Sequence, residues 1–200
     1  MKLFGLTGGI GMGKSTSARL LRERGIAVVD TDDLARDMVE PGQPALAEIR
    51  AHFGDVVLKP DGTLDRGALA RRVFADAGER GRLEAILHPR IRAVWLEQAA
   101  RWRTEGRAAG VVVIPLLFET KAEAHFEATI CVACTAATQL ARLQERGWNA
   151  EEIRQRMQSQ WSVEVKLDLA DFVVWTEGDV SVHAEQLRRI VPDAPASRAA

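Results

Sequence analysis

Near the start of the chain, Gly8-Gly9-Ile10-Gly11-Met12-Gly13-Lys14-Ser15 fits the pattern G-x-x-x-x-G-K-[ST] in full. Few folds can carry such a stretch. Its glycines let successive backbone N–H groups turn inward and cradle phosphate oxygens. The cradle needs a strand to deliver the chain and a helix to leave it, with the positive helix N-terminus aimed at the anion. Both flanks are present. Leu3 to Leu6 is a short apolar run, and Lys14 to Arg24 reads as a helix with Ala18 and Leu21 on one face and Gly25 as its stop. In such a loop Lys14 reaches the β- and γ-phosphates of a nucleotide, and the Ser15 hydroxyl is the expected Mg²⁺ ligand.

The remaining chain extends this opening into an α/β pattern. Ile26 to Val29 reads as a second buried strand, so the chain begins as a βαβ unit with a parallel sheet. From position 34 to about 106 the pattern is helical, with stretches at Leu34–Val39, Ala45–Phe53, Arg66–Ala75 and Arg80–Arg103 and no strand-like run. Pro41-Gly42, Asp61-Gly62 and Gly78 punctuate it, and His88-Pro89 predicts a kink or break in the longest stretch. Strand-like runs return at Val111–Ile114, Thr129–Cys134 and Phe172–Trp175. A helical stretch rich in arginine and glutamine lies between Ala136 and Lys166, and Val182–Ile190 closes the chain as a helix. The expected division is a core of about 1–33, 107–135 and 168–191, a helical insertion at 34–106, a helical segment at 136–167 and a frayed tail at 192–200.

Several function classes are excluded by what the loop lacks around it. Asn149 is the only asparagine, and its neighbours do not form the Asn-Lys-x-Asp motif that reads guanine in GTPases. The strand Val111–Ile114 ends in Pro115-Leu116-Leu117-Phe118-Glu119, not in the magnesium-binding aspartate of motor and transport ATPases. The formal net charge of −1 gives no bulk attraction to nucleic acid or anionic membrane. Five lysines leave 22 of the 27 basic residues as arginine, which suits bidentate phosphate contacts and equally follows from a GC-rich genome. No apolar segment reaches the length of a membrane span, and no leader pattern precedes the glycine loop, so a soluble cytoplasmic protein is expected. Cys131 and Cys134 lie in an apolar strand-like run, three apart and on opposite faces, and read as structural thiols.

A kinase acting on a small molecule needs a base and cations that close over the transferring phosphate. Asp30 and Asp32 stand where the second strand leaves the sheet, at the carboxyl edge where ligands bind. On an extended segment they share a face. One could accept the proton of an attacking hydroxyl; a solvated turn, or an N-cap at Asp32 or Asp33, explains them as well. Arg142 and Arg146 share a helix face and could clamp phosphates, or belong to a solvated amphipathic helix with Glu145 and Glu151 as partners. The five tryptophans read as packing residues. His88 before Pro89 reads equally as a helix cap or kink.

Taken in order, these pieces resemble the dephospho-CoA kinase family over nearly the whole chain, from Leu6 to about Leu187. The marks are Leu6-Thr7-Gly8-Gly9-Ile10-Gly11-Met12-Gly13-Lys14-Ser15-Thr16, Val29-Asp30-Thr31-Asp32, Asp61-Gly62-x-Leu64-Asp65-Arg66, Leu87-His88-Pro89 with Ile91-Arg92, Pro115-Leu116-Leu117-Phe118-Glu119, Gln139-Leu140-x-Arg142-Leu143-x-x-Arg146, and Lys166 with Ala170-Asp171. The resemblance implies the three-layer fold of P-loop NTPases, with a parallel sheet, a helical substrate-binding insertion and a helical lid. It implies ATP-dependent phosphorylation of the ribose 3′-hydroxyl of dephospho-CoA, with Mg²⁺. It makes Gly8 through Thr16 and Arg142 the ATP-binding residues and Asp32 the base. Lys14 and Arg142 would stabilise the transferring group. Arg66, His88, Arg92, Pro115, Leu116 and Glu119 would border the acceptor. A monomer or weak homo-oligomer is expected.

Three positions depart from the family pattern. Met12 stands where serine is usual, at a free position of the loop. Trp175-Thr176-Glu177-Gly178 lacks the asparagine common before the glycine of the adenine-binding segment. Gly147 replaces the aspartate or asparagine after Arg146 and is expected to loosen the lid.

Overall fold

A computed structural model describes residues 1–193; positions 194–200, most of the tail expected to fray, lie outside it. The elements in chain order are β1 (Lys2–Gly8), α1 (Lys14–Glu23), β2 (Ala27–Asp30), α2 (Thr31–Asp37), α3 (Pro44–Phe53), α4 (Arg66–Ala75), α5 (Ala77–Thr104), β3 (Ala109–Val113), β4 (Ala128–Ala133), α6 (Ala136–Glu145), α7 (Ala150–Gln158), α8 (Val163–Leu169), β5 (Phe172–Trp175) and α9 (Val180–Ile190). Short 3₁₀ turns at Asp55–Val57 and Glu123–His125 complete it. The chain divides into two units, one of residues 1–30 with the chain from 98 onward, the other of residues 31–97.

The first unit is built on a parallel sheet in the order β2-β3-β1-β4-β5. The central strands are apolar without alternation because both faces are covered. Leu6, Val111 and Val113 of β1 and β3, Ile130 and Val132 of β4, and Val174 of β5 form one core with Leu21 of α1 and Leu187 of α9. Each such side chain contributes about 1.5–3 kcal/mol by leaving water. Since β1 is central and its neighbours belong to later parts of the chain, the loop after β1 opens where the strand order reverses, the usual ligand crevice of such sheets. At the far end of the unit, the Arg24 guanidinium donates to Asp193 Oδ1 and Val191 O, both at 2.6 Å.

The second unit is helical, with an isolated antiparallel bridge between Leu58 and Leu64. Ile49 and Phe53 of α3, Val57, Leu69 of α4 and Ile86 of α5 fill its core. The predicted break at His88-Pro89 does not occur: α5 runs 28 residues through Pro89. Proline removes one backbone donor and crowds the preceding turn. The carbonyl it leaves without a helical donor is Ala85 O; at the neighbouring Ile86 O the Arg90 guanidinium donates at 2.5 Å.

Candidate active site

The phosphate loop connects β1 to α1 as its sequence demands. Gly8 has φ 146°, and a Cβ there would stand 2.3 Å from Val132 O on β4, so only glycine lets the loop leave the sheet this closely. Gly13, at φ 101°, is the N-cap of α1, which carries no acidic residue in its first turn and so leaves its N-terminus open to an anion. Lys14 Nζ donates to Gly8 O (2.8 Å) and Gly9 O (3.0 Å), which holds the ammonium across the loop. Ser15 is exposed and Thr16 half-buried at the start of the helix.

Met12 is not at a free position. It is 2% exposed and packs with Ala133 and Cys134, and with Val163 and Leu167 of α8. The thioether anchors the loop to the segment expected as a lid. Gln139 of α6 adds a second anchor, donating to Ile10 O at 2.7 Å.

Arg142 lies in the last turn of α6. Its guanidinium donates to Thr176 Oγ1 (3.0 Å) and Thr176 O (2.6 Å), and Thr176 Oγ1 donates to Met12 O (3.0 Å). Thr176, which replaces no base-reading asparagine in kind, is thus a bridge between the loop and the arginine. Glu177 Oε1 accepts from Thr135 N (2.9 Å) and from the Thr135 hydroxyl at the start of α6. Those bonds, with Thr138, hold the Glu177 carboxyl below its ordinary pKa. Arg142 and Arg146 share a cavity of about 230 Å³ with Gly11, Gly13, Thr16, Thr176 and His183. The alternative partner Glu151 belongs instead to Arg154, at 2.6 Å. Gly147, at φ 79°, terminates α6, its N–H bonding to Gln144 O at 2.8 Å. It stops the helix rather than loosening the segment, which is what an asparagine would also do there.

Pro115, Leu116 and Glu119 occupy the turn after β3. Pro115 O accepts from Thr7 Oγ1 (3.1 Å) and from Lys166 Nζ (2.6 Å). Lys166, on α8, has a wholly buried side chain and also pairs with Glu119 at 2.8 Å. Glu119 accepts from Trp161 N at 2.9 Å. Three chain segments therefore meet on one buried ion pair. Beside Met12, a second cavity of about 580 Å³ is lined by Gly9, Ile10, Cys134, Gln139, Trp161 and Trp175 among others. Trp161 and Trp175 are 47% and 42% exposed, unlike the packing residues Trp95 and Trp102.

Asp32, Arg66, His88 and Arg92 lie in the helical unit. Asp30 ends β2, but Asp32 falls in the first turn of α2, so the two do not share an extended segment. The helix begins at Thr31, three residues earlier than its apolar pattern suggests, because acidic residues favour a first turn. Asp33 pairs with Arg36 at 2.9 Å. Arg66 opens α4 and reaches Glu40 at 3.8 Å. His88 and Arg92 are four apart on α5. Burial, then Arg92, push the His88 pKa down, against Glu84. Among the described residues, no three His, Cys, Asp or Glu side chains group as a metal cluster, and no helix is long and apolar enough to cross a membrane. Cys131 and Cys134 are free and buried, as structural thiols.

Residues 2–181 match the family described as dephospho-CoA kinase. The chain is 47% identical over 199 residues to the dephospho-CoA kinase of Anaeromyxobacter dehalogenans, covering 99% of this chain and 94% of that one. The chain belongs to the dephospho-CoA kinase family. Two solved structures share its fold over almost all of both chains. TT1252 from Thermus thermophilus is 34% identical with a TM-score of 0.83, covering 95% of each chain. The dephospho-CoA kinase from Campylobacter jejuni is 28% identical with a TM-score of 0.68, covering 94% of each.

Within this dephospho-CoA kinase family member, three residues around the loop and the cavities were not legible in the sequence. Lys166 appeared only as a family mark. Its signal was a lone lysine between Val165 and Leu167 in an arginine-rich chain. Thr176 read as a missing asparagine, and its bridging role has no local signal because its partners lie 34 and 164 residues away. His183 carried no motif at all.

Proposed function

We propose that the chain transfers the γ-phosphoryl group of ATP to the ribose 3′-hydroxyl of dephospho-CoA, the last step of coenzyme A synthesis. The observation that carries the reading is the phosphate loop itself: Lys14 fixed across Gly8 O and Gly9 O at the open N-terminus of α1. Such a site binds a triphosphate through backbone N–H groups and one cation. The 3′-oxygen attacks the γ-phosphorus, the bond to the β-phosphate oxygen breaks, ADP leaves, and the hydroxyl proton passes to Asp32. Lys14 and Arg142 offset the charge on the transferring group. The bond of Arg142 to Thr176, whose hydroxyl donates to Met12 O of the loop, supports this role.

Mg²⁺ fits the donors present. Ser15 would hold it, offering a hard hydroxyl oxygen at the start of α1. When bound it would offset negative charge on the phosphates. Arg66, His88 and Arg92, with Pro115, Leu116 and Glu119, form the acceptor border, and 136–167 acts as a lid that excludes water. A cytoplasmic monomer or weak homo-oligomer accords with this role. The reading is tested by ADP release in the presence of dephospho-CoA and of a panel of nucleosides and nucleoside monophosphates. Turnover with dephospho-CoA alone supports it; turnover only with nucleosides replaces it with another small-molecule kinase.

A further inference from the structure

Helix α6 backs the phosphate loop. A Cβ on Gly9 would stand 3.4 Å from Gln139 Nε2, and one on Gly11 would stand 3.0 Å from Leu143 Cγ and 3.5 Å from Gln139 O. Between these two glycines, Ile10 O accepts from Gln139 Nε2 at 2.7 Å. The partner settles which end of the Gln139 amide points there, because a carbonyl oxygen only accepts. Gln139 is 5% exposed, so little water competes for the bond. The peptide joining Ile10 to Gly11 is trans, so its C=O and N–H point in opposite directions. With Ile10 O held against α6, the Gly11 N–H is turned away from α6.

The same peptide divides the two cavities at the loop. Ile10 and Gln139 line the larger one. Gly11 lines the smaller one, together with Gly13 at the open N-terminus of α1, Thr16 and the cation of Arg142. Nothing inside the loop resists a flip of this peptide. A flip changes ψ of Ile10 and φ of Gly11, and Gly11, at φ 74°, reaches negative φ as readily. A flipped peptide would turn a carbonyl oxygen where the N–H had been and repel an anion. The restraint has to come from outside the loop, and Gln139 supplies one.

We propose that Gln139 is a positioning residue for phosphoryl transfer: by holding Ile10 O against α6 it keeps the Gly11 N–H turned towards the phosphates. This deepens the nucleotide-site reading above and rests on it. Gln139 acts through the loop and not on the nucleotide. A donor fixed before the ligand arrives costs no reorganisation when charge moves onto the transferring group.

The test is calorimetric binding of ATP and of inorganic tripolyphosphate, each with Mg²⁺, to the full chain as wild type, Gln139→Met and Gln139→Glu. Methionine keeps the length without a donor or a charge. Glutamate keeps the shape but sets an acceptor against Ile10 O, which favours the flipped peptide with the Gly11 N–H on the carboxylate. The expected result is that Q139M loses roughly 5- to 10-fold in affinity for both ligands, the worth of one hydrogen bond, and Q139E roughly 100-fold. KM for ATP should rise in parallel while KM for dephospho-CoA holds. In ¹⁵N–¹H spectra the Gly11 amide of the wild type should move downfield on addition of tripolyphosphate, and that of Q139E should not. Wild-type affinities in Q139M overturn the proposal, since the loss in Q139E is then an effect of charge alone. So does a loss for ATP without one for tripolyphosphate, or a lower urea midpoint in Q139M with affinity unchanged. If neither variant folds, the wild-type Gly11 amide decides: a resonance that tripolyphosphate does not move overturns the proposal. If wild type binds neither ligand, the nucleotide-site reading itself falls, a result separate from the others.

Discussion

The donor side chains gathered around the phosphate loop and the exposed ion pairs of the helical unit at 31–97 are held in different ways. In the first, Lys14, Arg142, Gln139 and Lys166 each donate to backbone carbonyls. Their positions follow from the main chain. Among the pairs of the second, Arg66 with Glu40 leaves 51% and 59% of the two side chains exposed, and Arg50 with Asp55 leaves 61% and 74%. Such pairs are worth little and hold no fixed geometry. A charge developing in a transition state needs dipoles already in place. Exposed pairs of this kind suit the proposed role of meeting a long, flexible acceptor.

That contrast is broken most sharply at Asp32, the one residue of the helical unit with a proposed chemical role. Asp32→Asn should lower kcat by roughly 10²- to 10⁴-fold, the usual worth of a positioned base. ATP affinity, measured by calorimetry, should stay within about twofold. An unchanged kcat would leave the helical unit with binding alone.

Lys166→Met probes the opposite side of the contrast. It leaves Glu119 buried without its counter-charge and Pro115 O without its donor, and should cost about 3–5 kcal/mol in urea unfolding. Removing Arg36 from its surface pair with Asp33 should cost less than about 1 kcal/mol by the same measurement. Equal costs would erase the distinction between the units.

Arg66→Ala should raise KM for dephospho-CoA by roughly 10-fold, the value of one charge-assisted bond, with kcat and the KM for ATP nearly unchanged. A fall in kcat instead would mean that the helical unit is as preorganised as the loop.

The smallest effect concerns pH. His88 and His183 both have pKa values lowered by burial. The unfolded chain therefore binds more protons once pH falls below the ordinary histidine value of about 6.5. Their contribution to stability is complete above that pH and is lost as pH falls through the lowered folded values. His88→Gln should flatten the stability profile between pH 7 and 5; an unaltered slope would show that α5 does not shield the ring.

Wherever function rests on neighbours in sequence, it was legible. The loop, its flanking strand and helix, and all five strands follow from short apolar runs and glycine spacing, and α4 spans the residues its pattern predicts. What was not legible depends on distant partners or on a local rule overridden. Met12 looked free because its packing partners begin at Ala133. Trp161 and Trp175 looked like core residues because composition cannot tell a packed ring from one lining a cavity. Pro89 looked like a break because the remaining turns of α5, not the proline, decide whether a long helix continues. Asp32 fell inside a helix because the acidic run itself starts α2 one turn early.

The two cysteines carry a consequence for an enzyme whose product ends in a thiol. Burial pushes the Cys131 thiol up to about 11 and raises Cys134 as well. At neutral pH only about one Cys131 side chain in 10⁴ is a thiolate, the species that attacks disulfides. Burial thus keeps Cys131 almost wholly in the thiol form, which exchanges slowly with disulfides, and shifts Cys134 in the same direction.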